Sequence, residues 1–238
     1  MKNTLEINHN DPVLKLCGIA GWFAFLQASS VIFAIIGYFI WPHSFTDAQL
    51  IFEGIKQIPF TYFMKLDPFV LFGIILQLPV WLGLWAALRQ IDEAKSAVAL
   101  TLGLLSTVAI LTTRPIIEIY SLSSMYHSTN AVDLKNIYLA AGQSLLSQFH
   151  GTAWAISIIS GGLAAILFAL IMKKSKTFHV ATFWTMLLSG LGAQIVLVPV
   201  IGIISLFFLG TIVGLIGTIL CGVDLLKLYR KIKSINEK

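Results

Sequence analysis

The sequence predicts an all-α integral membrane protein: a bundle of six transmembrane helices with two amphipathic outer-surface helices. Three observations lead there. Of 238 residues, 57% are hydrophobic and 11% charged, and the mean hydropathy is +0.86; soluble globular chains carry about 25% charged residues. Asp, Glu, Lys and Arg are absent from residues 16–46, 68–88, 96–113, 136–172 and 177–223. Basic residues also alternate sharply between successive loops. The same composition excludes disorder, collagen and coiled coil, and two cysteines, Cys17 and Cys221, cannot staple a chain of this length.

A spanning helix needs about 20 mainly apolar residues. The charge-free stretches place spans at 16–41, 68–88, 96–113, 149–172, 180–199 and 203–226, within a single transmembrane domain, 1–238. The first is long enough to span and no small-x-small site closes it, so it reads as an anchor rather than a cleaved signal. The last charge-free stretch holds two spans, with Pro199 and Gly202 marking the turn between them.

Two connections are more than loops. In the first, Thr46 and Gln49 have the capping-box spacing, and Ile51, Ile55 and Ile58 share a helical face before Pro59 stops it. In the second, Asn130 caps a helix over 131–147 with Asp133 in its first turn. Leu134, Ile137, Tyr138, Ala141 and Leu145 recur at helical spacing, and Gly142 and Gly151 are candidate bends on the way into the fourth span. Both segments read as amphipathic helices lying at the outer surface.

Orientation follows the distribution of Lys and Arg. Twelve lie on one side: Lys2, Lys15, Arg89, Lys95, Lys173, Lys174, Lys176, Lys227, Arg230, Lys231, Lys233 and Lys238. Four lie on the other: Lys56, Lys65, Arg114 and Lys135. Both termini are expected in the cytoplasm. The basic pI, near 9.2, is then a topology signal that needs no nucleic acid. Cys17 and Cys221 fall on the reducing side, which argues against a disulfide.

Lipid tails are as apolar as leucine, so small residues that let backbones approach must hold the helices together. Rows at every fourth position supply them: Ala20, Ala24 and Ala28; Ala99, Gly103 and Thr107; Ser157, Gly161 and Ala165; and Gly210, Gly214, Thr218 and Gly222. These rows pack within one chain, or the last of them joins a homodimer or a partner membrane protein.

Ionisable groups inside a span are the usual pointers to function, and few occur. Asp224 lies one turn before Lys227 and reads as its ion-pair partner. Arg114 and Glu118 stand at i,i+4 spacing across Pro115, either an ion pair bracing the exit of the third span or the rim of an outward pocket. His150 and Trp154 share one helical face, and His127 lies on the same side; together these five make a candidate outer polar pocket. Gln27, Gln77 and Gln194 are candidate intrabundle polar groups, bonded to loosened backbone or facing a substrate. His43, His127 and His150 come from separate segments without ligand spacing, so no metal site is assigned, and an interfacial His179 needs no special role. A serine nucleophile elbow, a paired-cysteine redox motif, a phosphate-binding glycine loop and facing haem histidines are all missing. No cofactor and no catalytic residue is assigned.

The stretch Ala140-Ala141-Gly142-Gln143 through Gln148-Phe149-His150-Gly151-Thr152-Ala153-Trp154, followed by Ile171-Met172, Lys173-Lys174-Ser175 and Phe178, resembles a family of small bacterial multi-pass membrane proteins defined as a domain of unknown function. The similarity covers about 40 residues. It implies a bacterial inner-membrane protein of about six helices and carries over no catalytic residue. Three readings of function stay open: a protein that binds a small apolar or amphipathic molecule in a transport or sensing role, an accessory or scaffold subunit of a membrane complex, or an outer-face enzyme using His150 with Arg114 and Glu118.

Overall fold

The computed structural model describes residues 12–42, 47–195, 198 and 205–236. Within them the chain is helical, without strands. Ten α-helices follow one another: α1 Leu16–Ile40, α2 Ala48–Gln57, α3 Pro59–Lys65, α4 Pro68–Leu88, α5 Glu93–Leu111, α6 Ile116–Ser128, α7 Val132–Ser147, α8 Thr152–Met172, α9 Val180–Gln194 and α10 Gly214–Asn236. A π-helical stretch, Leu206–Val213, leads directly into α10. Among the described residues, five helical segments are long and apolar enough to cross a membrane: Val13–Ile40, Pro68–Leu88, Glu93–Ser128, Val132–Met172 and Phe208–Ser234. The protein is a multi-pass helical membrane protein. The expected fifth span appears as α9, whose 15 helical residues fall short of a full crossing; Pro199 and Gly202, the expected turn, lie outside the described residues.

α1, α4, α5, α8, α9 and α10 each pack against the next, and α10 returns to α1. The result is a closed ring of helices. Small residues set the approach, as expected where apolar burial cannot drive association. A Cβ added to Gly83 of α4 would lie 2.1 Å from the Ala20 Cβ of α1. Gly222 of α10 meets Ala24 of α1, Gly214 meets Ser189 of α9, and Gly161 of α8 meets Ser106 of α5. At one end, rich in basic residues, the ring is filled by Leu14, Cys17, Leu84, Leu88, Phe168, Met172, Phe183, Cys221 and Leu225. Both cysteines are buried and free.

The opposite end carries a cap built from α2, α3, α6 and α7, with its own core of Phe52, Ile55, Leu66, Ile119, Tyr126, Leu146 and Phe149. Here several sequence expectations need correction. The cap residue of α2 is Asp47, whose Oδ1 accepts from Gln49 N at 2.8 Å and Leu50 N at 3.2 Å; Thr46 is outside the described residues. Pro59 follows the end of α2 at Gln57, as expected, but it also begins α3, because its fixed φ suits a first helical turn. Ile58 is therefore exposed while Ile51 and Ile55 are buried.

α6 was not foreseen, since its apolar residues mix with serines and show no clean stripe. α7 buries Gly142 and Leu146, while Leu134 and Ile137 of the expected face are exposed. The stretch preceding it is turned by Thr129, whose Oγ1 accepts from Ala131 N at 3.2 Å, and Ala131 rather than Asn130 occupies the cap position. Gly142 is a contact point, where a Cβ would come 2.6 Å from the Phe52 ring. Gly151, in extended backbone, is the break before α8.

Candidate functional site

Between the packed basic end and the cap, the ring borders a partly open cavity of about 360 Å³ lined from all six of its helices. A second chamber of about 380 Å³ adjoins it between α1 and α4 and reaches Tyr38, Phe39, Asp67 and Phe69. Gln27, Val31, Val70, Ile74, Gln77 and Thr211 border both. Phe39, at the edge of the side chamber near the end of α1, is 72% exposed. Thr211 and Gly210 come from the π-helical stretch, an irregularity often found at functional sites.

Arg114 closes the cap end of the main chamber. It sits just past α5, where Pro115 begins the next helix, and its side chain is 7% exposed. One terminal nitrogen, Nη1, donates to Thr113 Oγ1 at 2.8 Å, Thr113 O at 3.2 Å and Phe149 O at 3.3 Å. The guanidinium carbon lies 4.9 Å from the centre of the Phe149 ring, within cation–π range. Its acidic partner is Asp67, with Nε 3.6 Å from Oδ2. At that distance the two attract without a hydrogen bond, and buried Nε has no acceptor. The expected Arg114–Glu118 pair does not form: Pro115 breaks the i,i+4 geometry, and Glu118 is exposed on the first turn of α6.

Asp67 escaped the sequence reading. It occupies the cap position of α4 with φ 61° and ψ 45°, a left-handed conformation that Asp tolerates better than most residues. The Asp-Pro pair at a helix start was the available signal. Its acidic side chain is 12% exposed.

The intrabundle amides divide. Gln27, buried on α1, and Gln77, half-buried on α4, both border the two chambers, and neither side chain has a hydrogen-bond partner among the described residues. Trp81, one turn after Gln77, stacks on Phe168 and lines the main chamber with a buried indole Nε1 that has no acceptor. Gln194 instead bonds backbone, donating to Ile159 O at 3.1 Å and Gly190 O at 3.4 Å. Gln194 therefore ties α9 to α8.

The remaining members of the expected outer pocket are dispersed. Trp154 lines the main chamber with Arg114. His150 is exposed and meets Trp154 edge to face at 5.4 Å. His127 belongs to the cap, where its Nε2 contacts Phe52 O at 3.0 Å. His43 lies outside the described residues. Among those described, no group of three His, Cys, Asp or Glu side chains converges as metal ligands would.

A second polar cluster stands at the basic end. Asp224 is 1% exposed and accepts from Thr182 Oγ1 at 2.6 Å, from His179 N at 3.0 Å and from His179 Nδ1. It does not pair with Lys227, which is exposed. The carboxylate sits at the first turn of α9, where unpaired backbone N–H groups and the helix dipole favour a negative charge. This joins α9 to α10, giving His179 a role the sequence did not suggest. Nearby, Asp92 caps α5 by accepting from Lys95 N at 3.1 Å and Lys95 Nζ at 2.7 Å, with Lys174 Nζ at 3.8 Å. The Lys95 ammonium and backbone N–H, helped by Lys174, hold the Asp92 carboxyl below its ordinary range.

Compared with protein-family models, with characterised proteins and with solved structures, the chain finds no match.

Proposed function

We propose that this protein holds a small amphipathic molecule inside its helix ring, in a transport or sensing role in a bacterial inner membrane. The observation that supports this reading is a set of unpaired polar groups around a cavity. The Gln27 and Gln77 amides, the Trp81 indole N–H and Arg114 Nε all border the chambers without a hydrogen-bond acceptor. A buried donor left unmade costs about 1–3 kcal/mol, and more where no water reaches it. Trp81 Nε1 and Arg114 Nε are buried in this way, and the Gln27 and Gln77 amides beside them offer bonding groups to a ligand in the chambers. The chamber volumes, about 360 and 380 Å³, fall in the range of roughly 300–1,000 Å³ usual for small-molecule sites. Native mass spectrometry of the gently extracted protein tests the reading. A discrete small-molecule adduct is expected, reduced when Gln77→Leu and Trp81→Phe remove two of the polar groups. A bare protein mass from several mild extractions would overturn it.

The same reading places six crossings in the membrane, α9 within the fifth, with both termini cytoplasmic and the cap helices α2 and α7 at the outer surface. The imbalance of basic residues supports that orientation. Cysteines introduced at the exposed Ser128 and Ser234 report on it, because Cys17 and Cys221 are buried. A membrane-impermeant thiol reagent should reach position 128 from outside and position 234 only from inside. Labelling of both from one side would end the six-crossing arrangement.

A further inference from the structure

The hydrogen-bonding groups left open inside the ring narrow the ligand further, an inference that rests on the amphiphile-binding reading above. Hydroxyls from three helices line the main chamber with their hydrogens already committed to backbone. Ser106 Oγ of α5 donates to Ser157 O at 2.8 Å, Ser189 Oγ of α9 to Gly210 O at 3.3 Å, and Thr218 Oγ1 of α10 to Gly214 O at 3.0 Å. A hydroxyl that has donated its hydrogen keeps its oxygen as an acceptor, so this wall calls for hydrogens from a ligand. Gln27 and Gln77, on α1 and α4, border both chambers. Each of these amides presents a carbonyl oxygen and an NH₂ group, and neither is bonded within the protein among the described residues.

The open groups are uncharged. Arg114, the charged residue lining the main chamber, is already held by Thr113, Phe149 and Asp67. An ionic head would leave water for a site whose remaining partners are all neutral, which is costly. A neutral head rich in hydroxyls fits instead. Each O–H gives its hydrogen to a protein oxygen, and each oxygen accepts from a glutamine amide. The side chamber, between α1 and α4, is walled by Val31, Ile35, Val70 and Ile74, and suits an alkyl chain. We infer that the bound molecule is an uncharged polyol amphiphile of the alkylglycerol class. Its hydroxyls lie in the main chamber among Ser106, Ser189, Thr218 and the two glutamines, and its chain lies in the side chamber.

The test uses the full-length protein, delipidated in a polyoxyethylene detergent so that no sugar or polyol head competes. Its probes share one dodecyl chain: dodecylglycerol, the same molecule with both hydroxyls methylated, dodecyl phosphate and dodecyltrimethylammonium. Binding is read by native mass spectrometry and by thermal shift. Dodecylglycerol should bind about tenfold or more tightly than each of the others, the factor that two lost hydrogen bonds are worth. Ser189→Ala removes an acceptor oxygen, so affinity for dodecylglycerol should fall about fivefold while that for the methylated form stays the same. Equal affinity for dodecylglycerol and its methylated form, or a preference for either charged probe, would overturn the inference while leaving amphiphile binding intact. If no probe binds and no adduct survives extraction, the amphiphile reading itself fails. The wild-type panel decides the matter even if the variant does not fold.

Discussion

Asp224 of α10 takes both the backbone N–H and the ring Nδ1 of His179, so the residue that opens α9 is fastened twice to one buried carboxylate. Thr182 Oγ1 adds a third donor from the same turn. Removing the carboxylate strands the buried Thr182 hydroxyl without an acceptor and releases the exposed His179 ring. Asp224→Ala should lower stability by roughly 1–3 kcal/mol, measured as thermal unfolding in detergent. Lys227→Ala, at an exposed position, should stay within about 0.5 kcal/mol. Equal losses from the two would restore Lys227 as the partner of Asp224.

The Arg114–Asp67 pair behaves differently, because both members are charged and their side chains are only 7% and 12% exposed. Taking away one partner leaves the other uncompensated, at a cost of about 3–5 kcal/mol, whereas replacing both with apolar groups is often neutral. Asp67→Asn keeps a residue that tolerates φ 61°, so it isolates the charge from the backbone. Unfolding midpoints should fall in Asp67→Asn and largely recover in the double variant Asp67→Asn, Arg114→Met. A double variant no better than the single would mean that the pair is not coupled.

Close approach of α1 and α4 rests on Gly83 and Ala20. A Cβ on Gly83 would stand 2.1 Å from the Ala20 Cβ, far inside contact distance, so Gly83→Ala must push the helices apart. Overpacking of this kind costs typically about 1–3 kcal/mol. Ala20→Gly removes the obstructing atom, and the double exchange should regain most of the loss in thermal unfolding. No recovery would place the strain elsewhere.

Acid should loosen the start of α5. Asp92 has a folded-state pKa below its ordinary value because Lys95 bonds the ionised form. A group depressed in this way stabilises above its unfolded pKa, about 4, and that contribution disappears as pH falls through the folded value. The stability gap between wild type and Asp92→Ala should be constant from neutral pH down to about 5 and close below about 4. A gap unchanged in acid would show that the carboxylate charge is not what caps the helix.

The sequence by itself determined the membrane class, the positions of the long apolar helices and the rows of small residues. Each is a local property: hydropathy over a span, or spacing along one helix. α4 was legible to the residue, because Asp67, Pro68 and Arg89 bracket an unbroken apolar run. Arg114 and Trp154 were legible as members of one polar pocket and Gln27 and Gln77 as polar groups within the bundle; that all four border the same space was not legible. Partner choice was decided only by the tertiary structure. Arg114 meets Asp67, far back in the chain, and not Glu118 four residues on; Asp224 meets His179 across the α9–α10 contact, and not Lys227 one turn later. Helical spacing brings such pairs within reach, but Pro115 turns the chain between Arg114 and Glu118, and burial turns Asp224 away from solvent and from its basic neighbour. Ring closure, and with it the cavity, depends on which helix faces meet, and that is set by backbone contacts between small residues that carry no sequence signature of their partner.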